Sequence, residues 1–253
     1  MKKILTILAL FITATSFATP TRLLVRVKAK DAKFIGTGIG GAYVVVRNHL
    51  SGDVLSKGVT TGASGNTDLI MLSAHQRNQR LTDAKTAGFE ASIDISEPLL
   101  VDVEVTAPLS RKNAAVNGST QLWLIPGKHI EGEGLVIELP GYILDILSPT
   151  THAFLTLPAS GSLTVDVKAS LTMLCGCTIT KGGTWNADDI EVVVLIKKDD
   201  KPLREQRLQY SGTANIFSSP VALTEKGAYG LSVYAYDPKT GNTGVDNINF
   251  VIQ

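Results

Sequence analysis

Both cysteines of the chain lie in one short stretch, TMLCGCTITKGG (Thr172–Gly183), with Met173, Cys175 and Cys177 at alternate positions. That spacing is open to three chemistries. Two thiolates and a thioether on one face of a strand would suit copper(I), which prefers sulfur ligands. A thiol pair could take part in disulfide exchange. A local disulfide could instead serve as a structural clasp. From Leu163 to Cys177 the odd positions read Leu163, Val165, Val167, Ala169, Leu171, Met173, Cys175 and Cys177, while the even ones begin Thr164, Asp166, Lys168, Ser170, Thr172. Side chains alternate across a strand, so this pattern sends all three sulfur-bearing residues to one inward face. The copper option has no second cluster of Met or His beside it in sequence, and only His129 and His152 are candidates to approach in space. For a disulfide, Cα atoms two apart in an extended strand sit about 6.5–7 Å from each other, near or beyond the usual limit. Gly176 supplies a bend that shortens the span, closing a small ring that is easily reduced. No Cys-x-x-Cys occurs. The preferred reading is a clasp ending a core strand, with no cofactor; copper(I) on Met173, Cys175 and Cys177 is the alternative.

Other candidates are weaker. GTGIGG (Gly36–Gly41) has the glycines of a phosphate loop but precedes a strand pattern, whereas phosphate cradles open a helix. Asp188, Asp189, Asp199, Asp200 and Asp237 read as turn acids, with a calcium site built from them as a lesser option. Asn117-Gly118-Ser119 matches a glycosylation sequon and is read as a chance match in a turn. No Gly-x-Ser-x-Gly or His-Glu-x-x-His occurs, and the four histidines are scattered. No catalytic residue is assigned, and the chain is not expected to be an enzyme.

The first residues, MKKILTILALFITATSFATPTR, set Lys2 and Lys3 before an apolar run from Ile4 to Thr15 and small residues at Ser16 and Ala18. This is the pattern of a cleavable signal peptide over 1–18, so the mature chain is expected in the periplasm or outside the cell. The run is short for a membrane span, and no later segment is long and apolar enough for one. Removing Lys2 and Lys3 from the 24 basic residues leaves 22 against 23 acidic ones. A net charge near zero gives no electrostatic reason to bind nucleic acid or an anionic membrane.

What must position any site is β structure. Period-two alternation marks Leu24–Lys30, Ala42–Arg47, Val54–Thr60, Thr67–Leu72, Phe89–Ile95 and Leu99–Val105 as strands. Ser51-Gly52-Asp53 turns one hairpin, and His75–Lys85 is polar and strand-poor, a loop or one short helix. GAYVVVRNHLSGDVLSKGVTTGASGNTDLIM resembles the transthyretin-like (carboxypeptidase regulatory-like) β-sandwich family: a strand, a Ser-Gly turn, a strand carrying Gly58, then a Thr-Thr-Gly…Gly crossover. That superfamily includes hydroxyisourate hydrolases, but their terminal Tyr-Arg-Gly-Ser signature is absent here. The resemblance therefore implies a binding or spacer module over 19–106. The polar run 107–134 reads as an inter-domain segment, with Trp123 packed at the junction.

From 135 onward the expected strands are Leu135–Leu139, Ile143–Leu147, Leu163–Met173, Ile190–Lys197, Gln206–Tyr210, Ile216–Leu223, Tyr229–Tyr236 and Asn247–Ile252, enough for an immunoglobulin-like sandwich. The closing stretch EKGAYGLSVYAYDPKTGNTGVDNINFVI resembles bacterial immunoglobulin-like domains, in which Gly-x-Tyr enters the penultimate strand and Asp-x-x-x-Gly-Asn makes the last turn. Tyr229 would then be the corner tyrosine, and Trp185 a core or rim aromatic. The expected architecture is all-β, two antiparallel sandwiches in tandem, transthyretin-like then immunoglobulin-like. The expected function is non-catalytic recognition of a protein, glycan or envelope component through end loops or an exposed strand edge.

Overall fold

The computed structural model describes residues 18–253; the candidate signal sequence, apart from residue 18, lies outside them. The chain is all-β and forms two sandwiches, each of two facing sheets. In the first, β1 (Thr19–Ala29) lies between β4 (Phe89–Ile95) and β7 (Ile130–Leu139). The facing sheet has the order β3 (Val54–Val59), β2 (Tyr43–Asn48), β5 (Leu99–Ala107), β6 (Val116–Leu124). Alternation explains the core. Leu23, Val25 and Val27 of β1 face Val44 and Val46 of β2 and Val101, Val103 and Val105 of β5, and all are buried.

Residues 107–134 are not an inter-domain segment. β6 pairs with β5 along its whole length, and β7 pairs parallel to β1, so the first sandwich runs on to Leu139. Leu135–Leu139 accordingly belongs to the first sandwich, not the second. Trp123 does not pack at a junction; it is 60% exposed on β6. The disguise is physical. β6 is an edge strand with polar outward residues, and β7 is broken near its middle by a register shift against Leu23 and Val25. Gly134 makes that irregularity feasible: its φ is +73° and an added Cβ would lie 2.5 Å from the Leu24 carbonyl oxygen.

Thr67–Leu72 is not a strand either. Asp68–Leu72 forms a single helical turn in which Ile70 alone is buried, and the Asn66 side chain accepts from the Leu69 N–H at 3.2 Å. Residues 73–84 contain no regular element.

In the second sandwich one sheet has the order β13 (Gln209–Tyr210), β14 (Ile216–Leu223), β10 (Leu163–Met173), β8 (Tyr142–Ser148). The other has the order β12 (Lys201–Arg207), β11 (Glu191–Lys198), β15 (Gly227–Tyr236), β16 (Thr243–Ile252), β9 (Ala153–Leu155). In immunoglobulin terms β8, β10, β14 and β13 take the places of A, B, E and D, and β11, β15 and β16 those of C, F and G. The pairing is antiparallel except for β1 with β7 and β9 with β16. Tyr229 is the corner tyrosine: buried, stacked on Phe250 at 5.4 Å, its hydroxyl donating to the Glu225 carbonyl at 2.9 Å. Asp237 and Asn242 close the last turn, with Asp237 N–H donating to Asn242 O at 3.0 Å.

The two sandwiches meet tightly, since only Pro140 and Gly141 separate β7 from β8. Asn242 is fully buried at the seam, where its Oδ1 accepts from Gly141 N–H at 2.9 Å and its Nδ2 donates to Lys30 O at 3.1 Å.

Candidate functional site

The sulfur-bearing stretch is a turn at this seam. β10 ends at Met173, and the chain reverses through Leu174–Gly176, where Gly176 N–H donates to Met173 O at 2.7 Å and Met173 N–H to Cys177 O at 3.1 Å. Cys175 and Cys177 are joined by a disulfide, with their Cα atoms 5.4 Å apart. The span is shorter than an extended strand allows because Gly176 adopts a φ of +77°. Met173 and Cys175 are buried, and Cys177 is partly so. The inward alternation stops at the strand end: Leu174, at an even position, is also fully buried because the turn rotates the chain.

Paired in this way the cysteines present no thiolate to a metal. Of the two histidines that could have joined them, His129 accepts from Arg22 N–H at 3.1 Å and His152 sits in the turn before β9. Among the described residues no group of three His, Cys, Asp or Glu side chains could hold a metal ion. Four of the five turn acids have partners of their own. Asp188 lies 3.7 Å from Lys181 and Asp189 2.8 Å from Lys239. Asp199 accepts from Ala228 N–H at 3.0 Å, and Asp237 from Thr240 Oγ1 at 2.8 Å. The Gly36–Gly41 loop encloses a three-residue turn, Thr37–Ile39, rather than a helix start.

Beside the sulfur turn a cleft of about 270 Å³ opens between the sandwiches, lined by Asp31, Tyr142, Met173, Trp185, Asp189 and Asp237 among others. Trp185 is a rim aromatic here, its indole N–H donating to Asp31 O at 2.8 Å. Partial desolvation at the cleft mouth, then the nearby Asp237 carboxylate, raises the Asp31 pKa, although Asp31 itself stays exposed. Burial, with Asp237 and Asp31, holds the Tyr142 phenol far above its ordinary range.

A second surface lies on the outward face of β3-β2-β5-β6. His49 Nδ1 is 3.1 Å from both oxygens of Asp102, and Gln121 Nε2 donates to Asp102 at 2.7 Å. The His49 hydrogen bond, then that of Gln121, keeps the Asp102 carboxyl below its usual range. Arg47 Nε pairs with Glu104 at 3.4 Å, and Trp123 stands exposed two residues beyond Gln121. Sequence reasoning missed this cluster because its members come from the turn after β2 and from β5 and β6, far apart in sequence. The one available signal was a tryptophan at an outward position of a polar strand.

No protein-family model matches the chain, and no curated protein matches it. Among solved structures, an engineered protein superposes with a TM-score of 0.33 at 16% identity over 49% of this chain and 23% of its own length, so this chain spans under a quarter of it. The fibronectin(III)-like modules of Clostridium thermocellum CbhA give 0.30 at 12% identity, over 83% of this chain and 77% of theirs. A chimeric titin Z1Z2 gives 0.24 at 10% identity, over 94% and 99%. Likenesses at these scores carry no argument; the fold rests on the strand pairing above.

Proposed function

We propose that this chain is an exported, non-catalytic binding protein that recognises a protein, glycan or envelope component through surfaces its two sandwiches leave open. The observation that carries the reading is the exposure of large apolar side chains on a scaffold whose sandwiches already bury a shared core: Trp123 at 60%, Phe154 at 69% and Leu50 at 90%. A single ordered, exposed aromatic ring offers a large contact area at little entropic cost, and aromatics are enriched at recognition surfaces. The strand orders β4-β1-β7 and β3-β2-β5-β6, with the Ser51-Gly52 hairpin and the Thr60–Gly62 crossover, support a transthyretin-like reading of the first sandwich. The disulfide suits an oxidising compartment, which supports export. No helix among the described residues is long and apolar enough to cross a membrane.

Expressing the full chain and fractionating the cells tests export, with processed protein in the periplasm or medium as the expected result. Purified mature chain should then co-sediment saturably with isolated cell envelopes. Retention of the unprocessed chain in the cytoplasm, or no saturable binding to envelopes or to any isolated glycan, overturns the reading. The copper(I) alternative needs Cys175 and Cys177 reduced, and stoichiometric copper in protein purified without reductant, abolished by Cys→Ser changes, would establish it.

A further inference from the structure

The outward face of β3-β2-β5-β6 forms a continuous track. Residues two apart on a strand share a face, so β6 presents Asn117, Ser119, Gln121 and Trp123 to solvent. Register places these beside Thr106, Glu104, Asp102 and Leu100 of β5 in turn. β2 continues the rows with Tyr43, Val45 and Arg47. From Asn117 to Trp123 the track is roughly 20 Å long at the usual rise of a strand. An indole stands at one end, and Tyr43, 36% exposed, lies in the row at the other.

Three properties of the track define what it can bind. First, its charges cancel, since Arg47 and Lys57 offset Asp102 and Glu104. A neutral ligand is therefore favoured over an anion or a cation. Second, its polar groups both donate and accept and are already ordered by one another. Thr106 Oγ1 donates to Asn117 Oδ1 at 2.6 Å, and Gln121 donates to Asp102 at 2.7 Å while lying 3.1 Å from His49 Nδ1. Little side-chain freedom remains to be lost on binding. Third, along β5 and β6 its middle is polar, with only the largely covered Val45 of β2 beside it, and its aromatics stand at the ends. A protein-binding hot spot has the opposite layout, with an apolar centre inside a polar rim.

A pyranose ring matches all three properties. In the all-equatorial gluco configuration one face is a patch of C–H groups that stacks on an indole, while the hydroxyl edges donate and accept. Part of the track is a shallow depression of about 380 Å³ lined by Glu104, Thr106, Asn117 and Ser119. A track that is open along a strand reads the interior of a chain rather than its terminus. We propose that this face binds a linear, uncharged, β-linked gluco-configured polysaccharide, one ring stacked on Trp123 and its neighbours hydrogen-bonded by Asp102, Gln121 and Asn117. The proposal rests on the binding-protein reading above and names the ligand.

The test is affinity electrophoresis of purified mature chain in gels containing hydroxyethyl cellulose or mixed-linkage β-glucan, with dextran and alginate as the α-linked and anionic controls. Retardation by the β-glucans alone is expected. Trp123→Ala should weaken it by about tenfold or more, and Trp123→Phe, which keeps a stacking ring, by less. Gln121→Ala should weaken it as well. Trp123 is exposed, so in Trp123→Ala far-UV circular dichroism and the unfolding midpoint should match the parent, while Gln121→Ala, which removes a hydrogen bond to Asp102, should keep the parent spectrum and lower the midpoint only slightly. Absence of retardation by either β-glucan, equal retardation by alginate, or β-glucan binding indifferent to Trp123→Ala and Gln121→Ala overturns the assignment. Saturable envelope binding that protease treatment of the envelopes abolishes and Trp123→Ala leaves intact sinks the glycan while sparing the wider reading. Loss of all envelope and glycan binding sinks both.

Discussion

Gly176 holds the sulfur turn in place by having no side chain. Its φ is +77°, and an added Cβ would lie 2.6 Å from Cγ2 of Ile39 in the first sandwich. Gly176→Ala therefore meets two costs at once, a left-handed backbone and a clash across the seam. It should destabilise the protein by more than about 1 kcal/mol, read as a lower urea midpoint at unchanged slope. The disulfide beside it predicts no free thiol in denaturant without reductant and two after reduction, which a colorimetric thiol titration reads directly. Tyr229 makes a separate contribution. Its hydroxyl gives the Glu225 carbonyl a partner at 2.9 Å, so Tyr229→Phe should cost about 1 kcal/mol while keeping the ring stacked on Phe250.

At the level of elements, Arg26 explains how an irregular segment stays packed. It lies on β1, 4% exposed, on the side of the β4-β1-β7 sheet away from the core. Its Nη1 donates to the carbonyl of Thr86 and, at 2.8 Å, to that of Ala87; its Nε is buried without a partner. Desolvation accordingly pulls its pKa below the usual guanidinium range. Arg26→Ala removes the donor from two carbonyls at the end of the irregular segment. It should cost about 1–3 kcal/mol and make Arg77, Arg80 and Lys85 the first sites of limited tryptic cleavage. Intact protection of these sites in the variant would show that the clamp is dispensable. The same elements show what could be read from the sequence. β5, β10 and β15 each bury one clean face, and β1 and β2 bury one apolar face apart from Arg26 and Val45 on the other, so alternation revealed them. β12 has almost no buried residue, so no alternation marked it in full. The candidate surface was illegible for a different reason: Asp102 and Gln121 become neighbours only through register between β5 and β6, and His49 joins them from the turn just after β2.

For the whole molecule the seam decides whether two sandwiches behave as one body. Asn242, the Trp185–Asp31 hydrogen bond and the Gly176–Ile39 approach all cross it. Asp31 is its electrostatic weak point: exposed at the cleft mouth, it has its pKa raised by partial desolvation and then by the buried Asp237 carboxylate. A carboxyl with a raised folded-state pKa binds its proton more tightly folded than unfolded. Its stabilising contribution is therefore largest in acid and is lost as pH rises from the unfolded carboxylate pKa through the folded value. Acid also protonates Asp83, Asp102 and Asp199, whose pKa values are lowered by hydrogen bonds and whose stabilisation is lost as pH falls. The overall pH profile thus mixes opposite signs, and only a difference between variants isolates the seam. Asp31→Asn keeps the side-chain shape, and asparagine tolerates the positive φ found there. It should raise the unfolding midpoint at neutral pH, and that advantage over the parent should shrink toward zero as pH falls through the Asp31 titration. A difference that stays constant with pH would mean that the Asp31 charge opposes nothing at the seam, and that the sandwiches are held by packing and the Asn242 bridge alone.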